Sequence, residues 1–167
     1  IKCGLKKDQF VVNISNRKIV QGLIDELKIT DEKQKQKVLR AIDKLDKPGF
    51  GISGVQQLLT EKRTDDSGAV TIGAKLSADQ ASEIINFLKI KDLDQLKSNL
   101  KNTLSEEGIR ETEDLLEILG YGEYADMVKF DSSKIRGLDI YTGFIVETNL
   151  TFEVKNSKGK VIDPGSV

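Results

Sequence analysis

The stretch Lys134-Ile135-Arg136-Gly137-Leu138-Asp139-Ile140-Tyr141-Thr142-Gly143-Phe144-Ile145-Val146-Glu147, running on from Thr148 to Val154, decides the fold. From Phe144 the residues alternate. Phe144, Val146, Leu150, Phe152 and Val154 share one parity, while Glu147, Asn149, Thr151 and Glu153 share the other. A period of two with one apolar side is the pattern of a half-buried strand, with the first set facing the core. Asn156-Ser157-Lys158-Gly159 supplies turn residues, and Lys160-Val161-Ile162 can return as a second strand of a hairpin. Ahead of the strand stand an arginine, two glycines, an aspartate and a tyrosine. Polar groups at the mouth of a buried strand suit a binding site.

Outward from this strand the chain changes character. Gln9 to Ile14 reads as a short strand, and Asn13, Ser15 and Asn16 offer N-cap oxygens. Lys18 to Leu27 follows as a helix with Ile19, Val20, Leu23, Ile24 and Leu27 on one face. Thr30 to Lys47 reads as the next, capped by Thr30 and ended by Pro48-Gly49. Val55 to Thr60 is a short amphipathic helix, and Arg63 to Gly73 a polar loop. Ser77 and Gln80 form a capping box. Leu93, Leu96, Leu100 and Leu104 suit one further helix. Thr112 then caps another, with Leu115, Leu116, Ile118 and Leu119 buried and Gly120 left-handed at its end. From Met127 to Phe130 the chain is β-like again. The organisation expected is α+β: residues 1–16 at the end of a sheet, 17–126 as a helical insertion, and 127–167 as a strand hairpin of the same sheet. Neither flank is large enough to be stable alone, so both need sheet partners.

Composition narrows the chemistry. Of 167 residues, 32% are charged and 38% apolar, which describes a folded water-exposed chain. The net charge of −1 advertises no global field for nucleic acid. There is no histidine, and Cys3 is the only cysteine. A zinc site and a Ser-His-Asp triad are therefore all but excluded within the chain. A lone cysteine fits a reducing, cytoplasmic setting, and no apolar run is long enough for a membrane helix. Asp65-Asp66 could meet a cation but lacks further oxygen ligands, so no metal site is expected. The chain starts at Ile1 and stops shortly after a strand, which reads as an internal piece of a longer protein. Lys33, Lys37, Arg40, Lys44 and Lys47 are spaced four, three, four, three. That spacing places five cations on one helix face, either as a strip for phosphates or as a solvated face.

Arg136-Gly137-Leu138-Asp139-Ile140-Tyr141-Thr142-Gly143, followed by an apolar run and Glu147, closely resembles a signature of histidyl-tRNA synthetases. The family pattern is Arg-Gly-Leu-Asp-Tyr-Tyr-Thr-Gly, so the eight residues match with one substitution, at Ile140. The passage Asn13 to Ile24 and the run Ile42 to Lys47 resemble the family at the corresponding places. The resemblance implies a class II synthetase antiparallel sheet interrupted by a helical insertion. It implies activation of histidine with ATP to histidyl-adenylate, then transfer to tRNA(His). It also implies that this piece lacks other catalytic motifs and is inactive alone.

Carried over residue by residue, Arg136 is the catalytic group. It approaches the ATP α-phosphate and the histidine carboxylate, where a permanently charged planar donor suits growing negative charge. The alternative for Arg136 is a structural ion pair with Asp139 or Glu147. Tyr141 takes the place of the tyrosine that recognises the imidazole, with a strand tyrosine packed in the core as the alternative, and Ile140 either meets substrate through shape alone or marks a drift in the pocket. Gly137, Thr142, Gly143 and Glu147 are supports. The cationic strip becomes a candidate tRNA contact. The family further implies a homodimer in the full-length protein and Mg²⁺ arriving with ATP, although no ligands for it stand out. A competing reading is a non-catalytic, synthetase-like regulatory subunit of an ATP phosphoribosyltransferase, which keeps the fold but usually lacks Arg-Gly-Leu-Asp and a long helical insertion.

Overall fold

The computed structural model describes residues 4–65, 67–137 and 140–162. Leu138 and Asp139 of the signature, Asp66 and Cys3 lie outside the described residues. Strand β1 (Phe10–Asn16) leads directly into helix α1 (Arg17–Glu26). Helices α2 (Glu32–Ile42) and α3 (Gly51–Thr60) follow, then a small hairpin of β2 (Lys62–Thr64) and β3 (Val70–Ile72). Next come α4 (Ala78–Leu88), α5 (Leu93–Asn99) and the long α6 (Thr103–Gly120). The chain ends in β4 (Val128–Phe130), β5 (Phe144–Leu150) and a minimal hairpin of β6 (Val154–Lys155) and β7 (Val161–Ile162). Among the described residues no helix is long and apolar enough to cross a membrane.

The sheet that carries the signature has the order β4-β1-β5. β1 pairs antiparallel with β5, from Phe10 opposite Leu150 to Asn16 opposite Phe144. It pairs parallel with β4, with Val12 opposite Val128. The sheet is thus mixed where an antiparallel one was expected. A parallel neighbour needs a crossover, and the helices supply it. β4 and β5 flank β1 on opposite sides and do not form a hairpin. The hairpin expected beyond Phe144 exists only as β6–β7, because β5 stops at Leu150.

The alternation along β5 is real, but the buried side is the other one. Ile145 and Glu147 are buried, whereas Phe144 and Val146 are exposed. The inward side of β5 faces the segment that carries Lys134 and Arg136, and those two cations hold Glu147 inside. An acid with two partners is tolerated where an unpaired one is not.

The helices begin where their caps allow. Asn16 ends β1 and accepts from the Lys18 N–H at 3.0 Å, a cap that stabilises a helix by about 1 kcal/mol. Asp31, not Thr30, caps α2, and α2 stops at Ile42, not Lys47. Past Ile42 the bonds tighten to Lys44 N–H on Ala41 and Leu45 N–H on Ile42, three-residue turns that lead to Pro48. The Ser77–Gln80 capping box opens α4 as expected. The leucine repeat from Leu93 is broken at Leu100, so α5 and α6 are separate. Thr112 caps nothing. It lies buried inside α6 with its hydroxyl donating to the Gly108 carbonyl at 2.7 Å. Ile118 is exposed, and Gly120 closes α6 without a left-handed backbone. The polar loop expected from Arg63 to Gly73 contains the β2–β3 hairpin.

One apolar core runs through α1–α6 and takes in Phe130 of β4 and Ile135. Its tightest crossing is α1 on α6. A Cβ on Gly22 would sit 2.0 Å from the Ser105 hydroxyl and 2.7 Å from its backbone nitrogen. One on Gly108 would meet the Lys18 Cβ at 2.8 Å. The glycines weaken the helices locally, and the close approach they permit offsets that.

Candidate functional site

Residues 131–137, which follow β4, pack against the helical region. The Asp131 N–H donates to the Ile14 carbonyl at 2.9 Å. The Ser132 hydroxyl is buried and bonds the carbonyls of Phe87 and Ile90, at 2.8 and 2.6 Å, at the end of α4. Asp131 pairs with Lys91 and accepts from Ser133. Burial pushes the Asp131 carboxyl up, but Lys91 and Ser133 outweigh it and hold the pKa below the ordinary value. Residues 131–133 are therefore bolted to α4, and the next three arrive in fixed positions.

Those residues enter an ion network. Lys134, buried, bonds Asp46 at 2.6 Å and Glu147 at 2.9 Å. Glu147, 7% exposed, also accepts from Arg136 at 3.2 Å. Burial lowers the Lys134 pKa, yet the bonds to Asp46 and Glu147 leave it above that of a free lysine. No described buried side-chain nitrogen or oxygen lacks a partner. Arg136 thus makes one of the two ion pairs considered from sequence. It still keeps 33% of its side chain accessible.

Arg136 is shared by two clefts. One, of about 320 Å³, has Asp43, Asp46, Lys47, Lys134 and Glu147 among its walls. The other, of about 300 Å³, is lined by Arg40, Asp43, Arg136, Gly137 and Tyr141. In the first cleft three acids stand against three cations. The second is lined by two arginines and one aspartate, a set richer in cations and so more receptive to an anion, although Arg136 also pairs with Glu147. Gly137 is buried against α2, where a Cβ would lie 3.3 Å from both Cα and Cγ of Arg40. A larger residue would push the signature off the helix.

The remaining sequence candidates are spread more widely. Tyr141 lines the second cleft, and with Thr142 and Arg17 it also lines a depression of about 350 Å³. Ile140 is 78% exposed and lines neither of the two Arg136 clefts. The Gly143 carbonyl accepts from the Arg17 N–H at 2.8 Å. The five cations do not share one helix face. Lys33, Lys37 and Arg40 are on α2, while Lys44 and Lys47 lie past its end. Lys37 donates to the Gly73 carbonyl at 3.2 Å, and the Lys44 ammonium sits 5.5 Å from the centre of the Phe50 ring. Arg40 and Lys47 open onto the two clefts.

Two participants were not assigned roles from sequence. Lys134 flanks the signature, and its neighbour on the strand, Glu147, was the available clue. Arg17 follows the N-cap at a strand–helix junction. It is 6% exposed, and its Nη1 donates to the Arg136 carbonyl at 2.6 Å. A buried arginine needs such acceptors.

The chain is 68% identical to the histidine–tRNA ligase of Pelagibacter ubique over all 167 residues, which span 36% of that protein. This chain is homologous to one segment of the histidine–tRNA ligases. The ligase of Bartonella bacilliformis matches 99% of the chain at 38% identity, over 35% of its own length. The chain spans about a third of the length of the curated ligases it matches. Among solved structures, a histidyl-tRNA synthetase from Nostoc sp. PCC 7120 superposes with a TM-score of 0.65 at 25% identity, covering 87% of this chain and 32% of that one. A Bacillus halodurans protein described as an ATP phosphoribosyltransferase regulatory subunit/histidyl-tRNA synthetase shares the ligase-like fold at TM-score 0.67 and 18% identity. It covers 90% of this chain and 35% of that one. No family model matches the chain.

Proposed function

We propose that this chain is part of a histidine–tRNA ligase that activates histidine with ATP and passes the histidyl group to tRNA(His). Arg136 is the group that meets the α-phosphate. The observation that carries the reading is the placement of Arg136 at the shared lip of two clefts, its guanidinium aimed by Glu147 and its backbone packed on α2 through Gly137. As the histidine carboxylate attacks the α-phosphate, negative charge grows on the phosphoryl oxygens and on the leaving pyrophosphate. A guanidinium already fixed in place stabilises that charge without reorganising. Tyr141, on the same cleft, offers a hydroxyl that can donate to or accept from the substrate imidazole. Histidine and ATP occupy the cleft of Arg40, Arg136 and Tyr141, and Lys33 and Lys37 remain candidates for tRNA phosphate.

Mg²⁺ is expected to accompany ATP in this reaction. Such an ion is held mainly by phosphate oxygens and one or two carboxylates; among the described residues no cluster of three potential ligands occurs, Glu147 and Asp46 are taken up by Lys134 and Arg136, and Asp43, which lines both clefts, is the carboxylate that would be at hand. No step is therefore assigned to it. Residues 17–126 act as an insertion whose ends return to one sheet, and the full-length protein works as a homodimer in the cytoplasm. The regulatory-subunit alternative has less behind it, because relatives at 36–68% identity carry the ligase name while the regulatory-subunit likeness is one of fold.

The test is histidine-dependent ATP–pyrophosphate exchange by the full-length protein. Arg136→Ala should lower kcat by about 100- to 1,000-fold, the usual loss for one preorganised donor. Wild-type exchange in that variant would overturn the reading.

A further inference from the structure

We propose that Arg17 is a positioning residue for Arg136: it grips the backbone at both ends of segment 136–143 and so sets where the Arg136 guanidinium points. The inference rests on the ligase reading above. Two bonds carry it. The Arg17 side chain donates from Nη1 to the carbonyl of Arg136 at 2.6 Å. Its main-chain N–H donates to the carbonyl of Gly143 at 2.8 Å. One buried residue therefore holds both the residue where the signature starts and the residue where β5 is about to begin.

The grip matters because Arg17 is itself buried and sits beside an anchored cap. It follows Asn16, which caps α1 and whose amide donates to the Gly108 carbonyl at 3.3 Å and to Glu111 at 2.9 Å on α6. Just beyond, α1 crosses α6 where Gly22 and Gly108 leave no room for a Cβ. The root of α1 is thus fixed to α6, and Arg17 transmits that fixed position to the Arg136 backbone. Glu147 constrains the same residue from the other end, through its side chain. Arg136 is held at its carbonyl by a cation and at its guanidinium by an acid. A lysine at position 17 keeps the charge and loses the planar, forked donor that reaches the carbonyl while staying buried.

A positioning role differs from plain structural support in one measurable respect, which is dependence on Arg136. Arg17→Lys and Arg17→Gln are made in the full-length protein, each with Arg136 intact and with Arg136→Ala. Histidine-dependent ATP–pyrophosphate exchange is measured at saturating substrates. With Arg136 present, both variants should lower kcat by about tenfold or more, with a smaller change in KM for ATP, as expected for a group acting only in the transition state. With Arg136→Ala they should change the residual rate by less than about twofold, because the interaction they serve is already gone. An unchanged rate with Arg136 present overturns the proposal. So does an equal fold-loss in both backgrounds, which is how a general loss of folded protein would read. If Arg136→Ala alone exchanges at the wild-type rate, the ligase reading fails first, and that result is distinct from either.

Discussion

Replacing Glu147 by glutamine keeps the shape of the side chain and removes its charge. In the native state one carboxylate oxygen lies 2.9 Å from the Lys134 ammonium and the other 3.2 Å from Arg136. The amide can satisfy one cation through its oxygen and must turn an NH₂ group toward the other. Removing one partner of a buried ion pair costs about 3–5 kcal/mol. Here Lys134 keeps Asp46 at 2.6 Å, and Arg136 is a third exposed, so water and Asp46 recover part of the loss. We expect about 2 kcal/mol of local stability to be lost, roughly a 30-fold rise in the opening equilibrium. Native-state hydrogen exchange of the β1 and β5 amides reads this directly, because those strands pair across the site. Lys134→Met added to Glu147→Gln should recover much of the protection, since no buried ammonium is then left short of an acid. Protection unchanged in Glu147→Gln within about threefold, or losses in the double variant that simply add, would refute the network as a stabilising unit.

Four further outcomes are expected. The 167-residue chain by itself should not catalyse histidine-dependent ATP–pyrophosphate exchange, and exchange by the purified chain would contradict that. Arg40→Ala in the full-length protein should slow adenylate formation, whereas Lys33→Ala should affect only the transfer to tRNA; single-turnover assays of the two steps separate them. Gly22→Ala should destabilise the α1–α6 crossing by about 1–3 kcal/mol through overpacking, seen as faster amide exchange in both helices. Glu111, in hydrogen bonds with Lys18 and Asn16, has its pKa held below the ordinary value, as does Asp131 beside Lys91. A depressed acid contributes stability that is full above its unfolded-state pKa and disappears as the pH falls through the lower folded-state one, so both contributions fade below the ordinary carboxylate range. Glu111→Gln should blunt that acid sensitivity in an unfolding titration.

The two strands bordering the helical region and most of the helices were legible because apolar spacing and caps are local signals. The Ser77–Gln80 box and the stripe from Ile19 to Ile24 appear as expected. The sidedness of β5 was not legible. Alternation identifies a strand but not its inward face when the buried acid is paired with cations distant in sequence, as Glu147 is with Lys134 and Arg136. The break at Leu100 escaped for a related reason: leucines at helical spacing continue across the corner between α5 and α6. Within the site, the signature drew attention to Arg136, Gly137 and Tyr141, and all three line one cleft. Arg17 stayed hidden because the two partners described above are backbone carbonyls more than a hundred residues away, and no side-chain pattern records those. Ile140 was included by its place in the signature, and its side chain is exposed.

The register that sets Asn16 opposite Phe144 also dictates a timetable. During synthesis β1 leaves the ribosome well before either of its neighbours exists. At the usual rates of translation the interval is on the order of ten seconds. Throughout it, a seven-residue segment has both of its later strand edges unpaired, open to solvent or to a chaperone. The helices, all encoded between β1 and β4, have that interval in which to assemble before β5 arrives. A nascent chain arrested before Val128 should therefore be bound by a strand-capturing chaperone that releases it once Leu150 has emerged.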